Sequence, residues 1–199
     1  MLVSVRGVPG SGKTFLCSLL NDSRIECFDT DDYVAKAFQT LIKTHLFQRA
    51  LAKPGREVDS LPPKAQRRLF GLAKSMLQKD LDRSKAKIKV VVGVTLLLNT
   101  HRSFFIRLVN LKEVFHRLIK REIQKAKDVP LDILSKSPQP GLLAHFVYGL
   151  GAVNLDMSLA NYRKMYKGAL DFEKKRGAWV GTQQEIANQI YLSFKTIGK

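Results

Sequence analysis

The sequence has 199 residues, with 34 Lys and Arg against 17 Asp and Glu, giving a formal net charge of +17 at pH 7. This length suits one domain with a buried core, and 45% hydrophobic and 26% charged residues are usual for a globular protein. No apolar run approaches the ~18 residues that a membrane-spanning helix needs. The first residues also lack the layout of a signal peptide. We therefore expect one domain over residues 1–199 and no membrane partner.

The positive charge is the most unusual feature of the composition, and the sequence pI is about 10.1. Such an excess favours a polyanionic partner, most often nucleic acid. The basic residues are spread along the chain, so a solvated basic surface that attracts polyanions only non-specifically stays open as an alternative. The sequence does not determine the oligomeric state.

The residues that commonly bind metals do not form a recognisable site. Cys17 and Cys27 are the only cysteines, and neither they nor the four histidines have the spacing of a metal site. We expect a reducing, cytoplasmic environment with no disulfide and no zinc site.

The first third of the chain alternates between strand and helix patterns. Alternation of apolar and polar residues predicts a strand over 2–6, and apolar spacing predicts a helix over 14–20. A second strand is predicted over 25–28 and a second helix over 32–51. Prolines, a glycine and charges then indicate an exposed loop over 53–64.

The middle of the chain repeats this pattern. Helical spacing predicts a helix over 65–81, and a run that is apolar at almost every position from residue 88 predicts a central parallel strand buried on both faces. A strand over 104–109, a helix over 111–126 and a proline-marked loop over 128–141 follow.

The last part is predicted to contain helices over 142–150 and 157–173 and a short strand over 178–181. Thr182 and Glu185 have the spacing of a capping box, which opens a final helix. Strands that alternate with helices predict an α/β fold with a three-layer arrangement, a parallel sheet with helices on both faces.

A phosphate-binding motif follows the first predicted strand. Residues 7–14 read GVPGSGKT and fit G-x-x-x-x-G-K-[ST] without a mismatch. The chemistry of such a loop assigns Lys13 to the β- and γ-phosphates of ATP and the Thr14 hydroxyl to Mg²⁺. A loop of the right shape that no longer supports catalysis, or a glycine turn that binds nothing, stays open. The residues predicted to bind the nucleotide are Gly7, Pro9, Gly10, Ser11, Gly12, Lys13 and Thr14.

Three carboxylates follow the second predicted strand, in the stretch Phe28-Asp29-Thr30-Asp31-Asp32-Tyr33. Ligands of open α/β sheets bind outside the carboxyl ends of strands, so we expect these acids to face the same crevice as the phosphate loop. A carboxylate there could accept the proton of an attacking hydroxyl or hold Mg²⁺. Asp31 is the favoured base, and Thr14, Asp29 and Asp31 are the predicted metal ligands. The alternative role is helix capping.

Together, "GVPGSGKT" and "DTDDY" resemble the P-loop kinases of the nucleoside-monophosphate-kinase-like class, and within it most resemble the polynucleotide 5′-hydroxyl kinases. The resemblance implies a P-loop NTPase/kinase fold and, because the first Asp of the Asp-Asp-Tyr triplet is the general base in those enzymes, it implies that role for Asp31. The segment VPLDIL over 129–134 is similar to the segment that follows the lid helix of the phage enzymes. The resemblance covers about the first 135 residues.

The helix predicted over 111–126 has a strongly basic side, on which Arg117, Lys120 and Arg121 share one face. The stretch VFHRLIKRE resembles the lid helix of nucleotide kinases, which implies that Arg117 and Arg121 bind the donor phosphates during transfer. The alternative is the solvated face of an ordinary amphipathic helix. The lid loop of such kinases would follow this helix. Because the segment over 127–141 is short, we expect any lid to be small.

One expected residue of such enzymes is missing, because the strand that begins at residue 88 continues as VVVGVTL and contains no carboxylate. Many P-loop proteins, including the kinases that this sequence resembles, have an acid at the end of this strand. Residues 99–102 lie just beyond this strand. Two interpretations of them stay open, contacts with substrate and a polar turn.

Two functions therefore stay open. One is an ATP- and Mg²⁺-dependent phosphotransferase acting on a nucleoside, a nucleotide or a nucleic-acid 5′ end. The other is a catalytically degenerate protein that binds nucleic acid or an assembly through its basic surface. A motor-type ATPase is a weaker third reading.

Overall fold

A computed structural model of the chain describes residues 1–44, 63–93, 96, 98–127 and 158–197. Strands and helices alternate along these residues, as the sequence predicts. In chain order the elements are β1 (Leu2–Arg6), α1 (Lys13–Leu19), β2 (Ile25–Asp29), α2 (Thr30–Leu41), α3 (Pro63–Arg83), β3 (Ile88–Val92), β4 (Arg102–Ile106), α4 (Leu111–Lys127), α5 (Leu159–Lys175), β5 (Trp179–Gly181) and α6 (Gln183–Ile197).

The chain divides into two compact units. The first comprises Met1–Thr30, Leu81–Arg117 and Ser158–Lys199, and the second comprises Asp31–Asp80 and Leu118–Met157. Two compact units can belong to one domain, so the prediction of a single domain over residues 1–199 stays a prediction. The first unit contains the whole sheet and the glycine loop.

The sheet has five strands in the order β2-β3-β1-β4-β5, and every neighbouring pair is parallel. Val5 of the central strand β1 is in register with Val92 of β3 and Phe104 of β4. From β1 the chain goes to β2 on one side, whereas from β3 it goes to β4 on the other. This reversal produces a crevice outside the carboxyl ends of β1 and β3, where ligands of open sheets bind.

Helices pack on both faces of the sheet, so the predicted three-layer α/β fold is confirmed. On one face, alternate apolar residues of the strands pack against Leu16 of α1 and Ile186 and Ile190 of α6. On the opposite face, the Phe105 ring lies 6.1 Å from the Tyr166 ring of α5. The strand residues buried on the first face are Val3, Val5, Ile88, Val90, Val92, Phe104 and Ile106.

The second unit contains most of α2 and α3, and both helices have the apolar spacing that the sequence predicts. In α3, Leu69, Ala73 and Leu77 are fully buried at four-residue intervals. The Tyr33 hydroxyl of α2 donates a hydrogen bond of 2.8 Å to the Asp80 carboxylate of α3.

Two predicted elements end well before their predicted last residue. The helix predicted over 32–51 ends at Leu41 in α2, because the chain turns at residues 42–44, where the Thr44 amide and hydroxyl both bond the Leu41 carbonyl. The strand predicted over 104–109 is β4 (Arg102–Ile106), because its pairing with β1 begins where Arg102 faces Val3. The apolar pattern alone cannot determine which residues find a partner strand.

The loop predicted over 128–141 and the helix predicted over 142–150 lie outside the described residues, as does nearly all of the loop predicted over 53–64. Its last two residues already belong to α3, which begins at Pro63. A proline is well suited to the first helical position because its missing N–H has no partner there.

The capping box is confirmed at the start of α6. The Thr182 amide donates to the Glu185 carboxylate at 2.7 Å, and the Glu185 amide donates to the Thr182 hydroxyl at 3.3 Å. The bond from the Thr182 amide, followed by a side-chain hydrogen bond of Thr182, lowers the pKa of Glu185. The reciprocal pair positions the beginning of α6 next to the glycine loop.

The expectation of no disulfide is wrong, because Cys17 of α1 and Cys27 of β2 form one. Sequence spacing did not indicate it, since the fold brings the two residues together across α1 and β2. Structural disulfides are typical of oxidising environments, so this bond counts against the expected reducing location. Within the described residues, no helix is both long enough and apolar enough to span a bilayer.

Candidate functional site

The glycine loop between β1 and α1 has the backbone conformation that a phosphate-binding loop needs. Gly10 and Gly12 have φ angles of 78° and 82°, in the left-handed region that favours glycine. Left-handed residues that alternate with ordinary ones turn successive N–H groups toward one concave side, which forms an anion-binding nest. Gly7 is needed for another reason, since a Cβ there would collide with the buried Ser11 hydroxyl.

Two side chains from the carboxyl-terminal third hold the outer side of this loop. The hydroxyl of Tyr162, a buried residue of α5, donates to the Pro9 carbonyl at 2.7 Å. The Gln183 amide at the start of α6 donates to the Ser11 carbonyl at 2.6 Å. Donors that hold the carbonyls outward leave the peptide N–H groups to face inward. Sequence reasoning missed both residues, because no local pattern connects them to a loop more than 150 positions away.

Lys13 lies across the loop. Its Nζ donates to the Gly7 carbonyl at 3.0 Å and is 3.4 Å from the Val8 carbonyl. The ammonium is therefore kept at the concave side of the loop, where phosphate oxygens would replace the carbonyls as its acceptors. Thr14, in the first turn of α1, is exposed.

The loop offers unused hydrogen-bonding groups to an anion. The Ser11 hydroxyl is buried and has no hydrogen-bond partner among the described residues. The amides of Gly12 and Thr14 also have no acceptor among those residues. Unpaired buried polar groups are costly, and a bound phosphate would satisfy them. The residues present thus fit a nucleotide's phosphates and, through the Thr14 hydroxyl, an accompanying Mg²⁺.

The end of β3 explains the missing carboxylate in physical terms. Gly93 follows Val92 with a φ of 137°, and a Cβ there would collide with the Thr30 side chain. Position 93 therefore has no room for an acid. On the neighbouring strand, Asp29 is in register with Val92. Asp29 therefore lies at the level of the sheet where many P-loop enzymes have an acid after this strand. A metal ligand at this edge of the sheet would need to lie at that level.

The other acids lie beyond the unit that contains the loop. Asp31 and Asp32 are exposed in the first turn of α2 and belong to the second unit. The predicted roles of Asp31 as general base and as metal ligand therefore stay predictions, and so does its expected orientation toward the crevice. An acid in the first turn also stabilises the helix, so the capping alternative stays open.

The basic side of α4 is exposed, as expected. The Arg117 Nε lies 3.7 Å from the Glu113 Oε1. The Arg121 guanidinium donates to the buried Glu122 carboxylate at 2.9 Å. Both arginines keep at least half of their side-chain surface exposed, 69% and 52%. They are accessible to a polyanion, but their predicted contact with donor phosphates stays a prediction.

Residues 99–102 take part in packing at the amino-terminal end of the sheet. The Thr100 hydroxyl contacts those of Ser4 and Ser103 at 3.2 and 3.1 Å. The His101 Nδ1 accepts a hydrogen bond of 3.0 Å from the Leu2 amide. These contacts favour the polar-turn interpretation over contacts with substrate. Within the described residues, no group of three or more His, Cys, Asp or Glu could hold a metal on its own.

Comparisons with known proteins support the fold alone. No protein-family profile matches the sequence, and no curated protein is significantly similar to it. Among solved structures, it is similar to the crystal structure of TT1252 from Thermus thermophilus, with 18% sequence identity and a TM-score of 0.53. The match covers 97% of this chain and 96% of that one. At this identity the likeness concerns the parallel α/β architecture, which is compatible with nucleotide binding at a P-loop.

Proposed function

We propose that this protein is an ATP-dependent phosphotransferase whose phosphate donor binds in the loop of residues 7–14. One observation carries the proposal: a complete phosphate-loop motif folds as a nest with Lys13 at its concave side, and Tyr162 and Gln183 hold the carbonyls of its outer side. A turn that bound nothing would have no need to keep the Ser11 hydroxyl buried without a partner.

The chain supplies groups for each part of the transfer. Lys13 and the loop amides bind the β- and γ-phosphates. Thr14 and Asp29 would hold Mg²⁺, which would neutralise charge that develops during transfer. An acceptor oxygen attacks the γ-phosphorus while the bond to the bridging β–γ oxygen breaks. Asp31 takes the proton of the acceptor hydroxyl. Arg117 and Arg121 stabilise the charge on the moving group.

The acceptor belongs to the nucleoside, nucleotide or nucleic-acid class. The net charge of +17 supports an anionic acceptor, since a positive surface raises the local concentration of phosphorylated compounds. The resemblance to polynucleotide 5′-hydroxyl kinases supports the same choice.

A transfer assay with γ-labelled ATP, Mg²⁺ and a panel of nucleosides, monophosphates and 5′-hydroxyl oligonucleotides tests the proposal. Lys13→Ala should lose transfer and weaken ATP binding, whereas Asp31→Asn should lose transfer and keep ATP binding. Asp32→Asn is the matched control, because it changes the adjacent exposed acid of the same turn. Transfer at the wild-type rate in both Lys13→Ala and Asp31→Asn would refute the proposal.

A second candidate is a protein that binds nucleic acid on the same fold without catalysis. The packing of Gly93 against Thr30 favours it, because this leaves no room for the acid that many P-loop enzymes have there. This candidate predicts that the protein does not turn over ATP and that its nucleic-acid binding weakens steeply as the salt concentration rises. Binding measured from 50 to 300 mM salt alongside the transfer assay separates the two candidates.

A further inference from the structure

The solvent side of α5 carries six cations and one acid, Asp171. The other acid of this helix, Glu173, is turned inward, where its carboxylate contacts the Arg6 guanidinium at 2.9 Å. All six cations are exposed, and the last of them directly follows the helix: Arg163, Lys164, Lys167, Lys174, Lys175 and Arg176. These six residues, together with Gly168 and Phe172, are called the α5 face below.

The positive charge of the α5 face is not neutralised by the protein. None of its six cations forms an ion pair with an acid among the described residues, whereas Arg117 and Arg121 of α4 each do. Arg163 and Lys167 are also one turn apart, and like charges at this spacing destabilise a helix. A polyanion bound along this side would neutralise the charges and remove the repulsion.

An aromatic ring lies among these cations. Phe172 is 50% exposed, and the Arg176 Cζ lies over its ring at 5.5 Å from the centre. Gly168 precedes Phe172 by one turn, and a Cβ there would meet no atom within 4 Å. Packing therefore does not require this glycine, and glycine is among the weakest helix formers. Because helical side chains lean toward the preceding turn, the missing side chain leaves the surface beside the ring uncovered.

Unpaired cations around an accessible ring are suited to a single strand of nucleic acid, whose phosphates bind the cations while a base stacks on the ring. A duplex does not offer the faces of its bases in this way. A membrane surface would favour a continuous apolar stripe beside the cations, whereas Phe172 is the one large apolar side chain of α5 that is exposed. We propose that the α5 face binds single-stranded nucleic acid, with one base stacked on Phe172.

The α5 face is separate from the donor loop. The residue of α5 that contacts the loop is Tyr162, which lies on the buried side of the helix. Binding at the α5 face therefore needs no ATP, and it goes beyond the proposed function. In a phosphotransferase this surface holds a nucleic-acid partner, and in a protein without catalysis it is the binding surface itself.

Fluorescence anisotropy of the full chain without ATP tests the partner class. The probes are labelled oligouridine and oligothymidine of about 12 nucleotides, within the range of known single-strand sites. The comparators are their duplexes, an abasic strand of the same length, and vesicles of equal parts phosphatidylserine and phosphatidylcholine measured by sedimentation.

At least one single strand should bind at least fivefold more tightly than its duplex and than the abasic strand, and the vesicles should not sediment the protein. A preference between the two strands identifies RNA or DNA as the partner. Equal or tighter binding of the duplex or of the abasic strand, or binding to the vesicles alone, would overturn the inference.

A triple variant connects this binding to the charges of the α5 face. Its substitutions are Lys164→Gln, Lys167→Gln and Lys175→Gln. The matched control removes the same charge from exposed lysines of α3: Lys64→Gln, Lys74→Gln and Lys79→Gln. The α5 triple should weaken single-strand binding at least tenfold and reduce the slope of log K against log salt by about 2, since each phosphate contact contributes about 0.7. The α3 triple should change affinity less than threefold, and an equal loss in both triples would contradict the proposal.

A substitution of the ring tests stacking separately from charge. Phe172→Leu should weaken binding of the single strand about five- to tenfold and leave the abasic strand unaffected, and Phe172→Tyr should restore it. If the ring were merely structural, Phe172→Leu would change the urea midpoint and would affect both strands alike. Equal effects on the two strands, or no effect on either, would refute stacking on Phe172.

MgATP binding measured on the same variants should stay at the wild-type level. This keeps the two ideas separable, because absence of ATP binding in the wild-type protein counts against the proposed function. Absence of single-strand binding in a wild-type protein that binds ATP counts against the α5 face alone.

Discussion

Replacement of Tyr162 by Phe should loosen the phosphate loop without emptying the core. The hydroxyl donates to the Pro9 carbonyl at 2.7 Å, while the ring is fully buried and lies 5.3 Å from the Phe115 ring. Phe keeps the ring and removes only the hydroxyl. Any effect therefore reports on the hydrogen bond that holds the outer side of the loop.

The expected magnitude follows from that one bond. An intramolecular hydrogen bond contributes about 0.5–1.5 kcal/mol, and a carbonyl left without a partner costs about 1–3 kcal/mol, so we expect a loss of roughly 1–2 kcal/mol. For a chain of this size this corresponds to a fall in Tm of roughly 2–8 °C. A loop that must be ordered again on binding should bind MgATP about three- to tenfold more weakly, or roughly 0.7–1.4 kcal/mol.

Urea unfolding and calorimetric MgATP titration measure the two effects. Tyr166→Phe is the matched control on the same helix, because its hydroxyl accepts a longer bond of 3.3 Å from the Leu108 amide, away from the loop. It should cost less stability and leave MgATP affinity unchanged. If Tyr162→Phe matched the wild-type protein in both stability and MgATP affinity, the role of the Tyr162 hydroxyl in holding the Pro9 carbonyl of the loop would be refuted.

Three further predictions concern single positions. Gly12→Ala puts a Cβ on a backbone with a φ of 82°, so MgATP affinity should fall at least tenfold by calorimetry, and an unchanged affinity would contradict the nest geometry. Thr182→Ala removes the capping hydroxyl and keeps the backbone amide, so it should cost about 1 kcal/mol in urea unfolding and raise the pKa of Glu185 part of the way to its usual value in an NMR titration; unchanged values would refute it. The hydrogen bond from Arg24 lowers the pKa of Asp22 from 3.8 to about 2, so the stabilisation that this pair gives is present above pH 3.8 and is lost as the pH falls through about 2. An NMR midpoint for Asp22 near 3.8 would contradict it.

The sequence predicts the sheet and the loop because both depend on local patterns. The apolar run at β3 marks a strand buried on both faces, and Gly10 and Gly12 stand where the backbone needs a left-handed conformation. The capping box at Thr182 is equally local, since its two residues are three positions apart.

The features that it could not predict depend on residues that are distant in the chain. Tyr162 and Gln183 contact the loop only because the fold brings α5 and α6 beside it. The disulfide between Cys17 and Cys27 joins two elements whose separation in sequence gives no spacing signal. The space against Gly93 is occupied by Thr30, and no pattern in the chain relates these two positions.

Calorimetric titration of MgATP into the wild-type protein and into Lys13→Ala tests the central claim most directly, since it asks whether residues 7–14 bind a triphosphate before any acceptor is chosen. We predict saturable one-to-one binding to the wild-type protein and at least tenfold weaker binding to the variant, with cooperative urea unfolding retained in both. Absence of binding to the wild-type protein, or equal affinity of the two proteins, would contradict the claim.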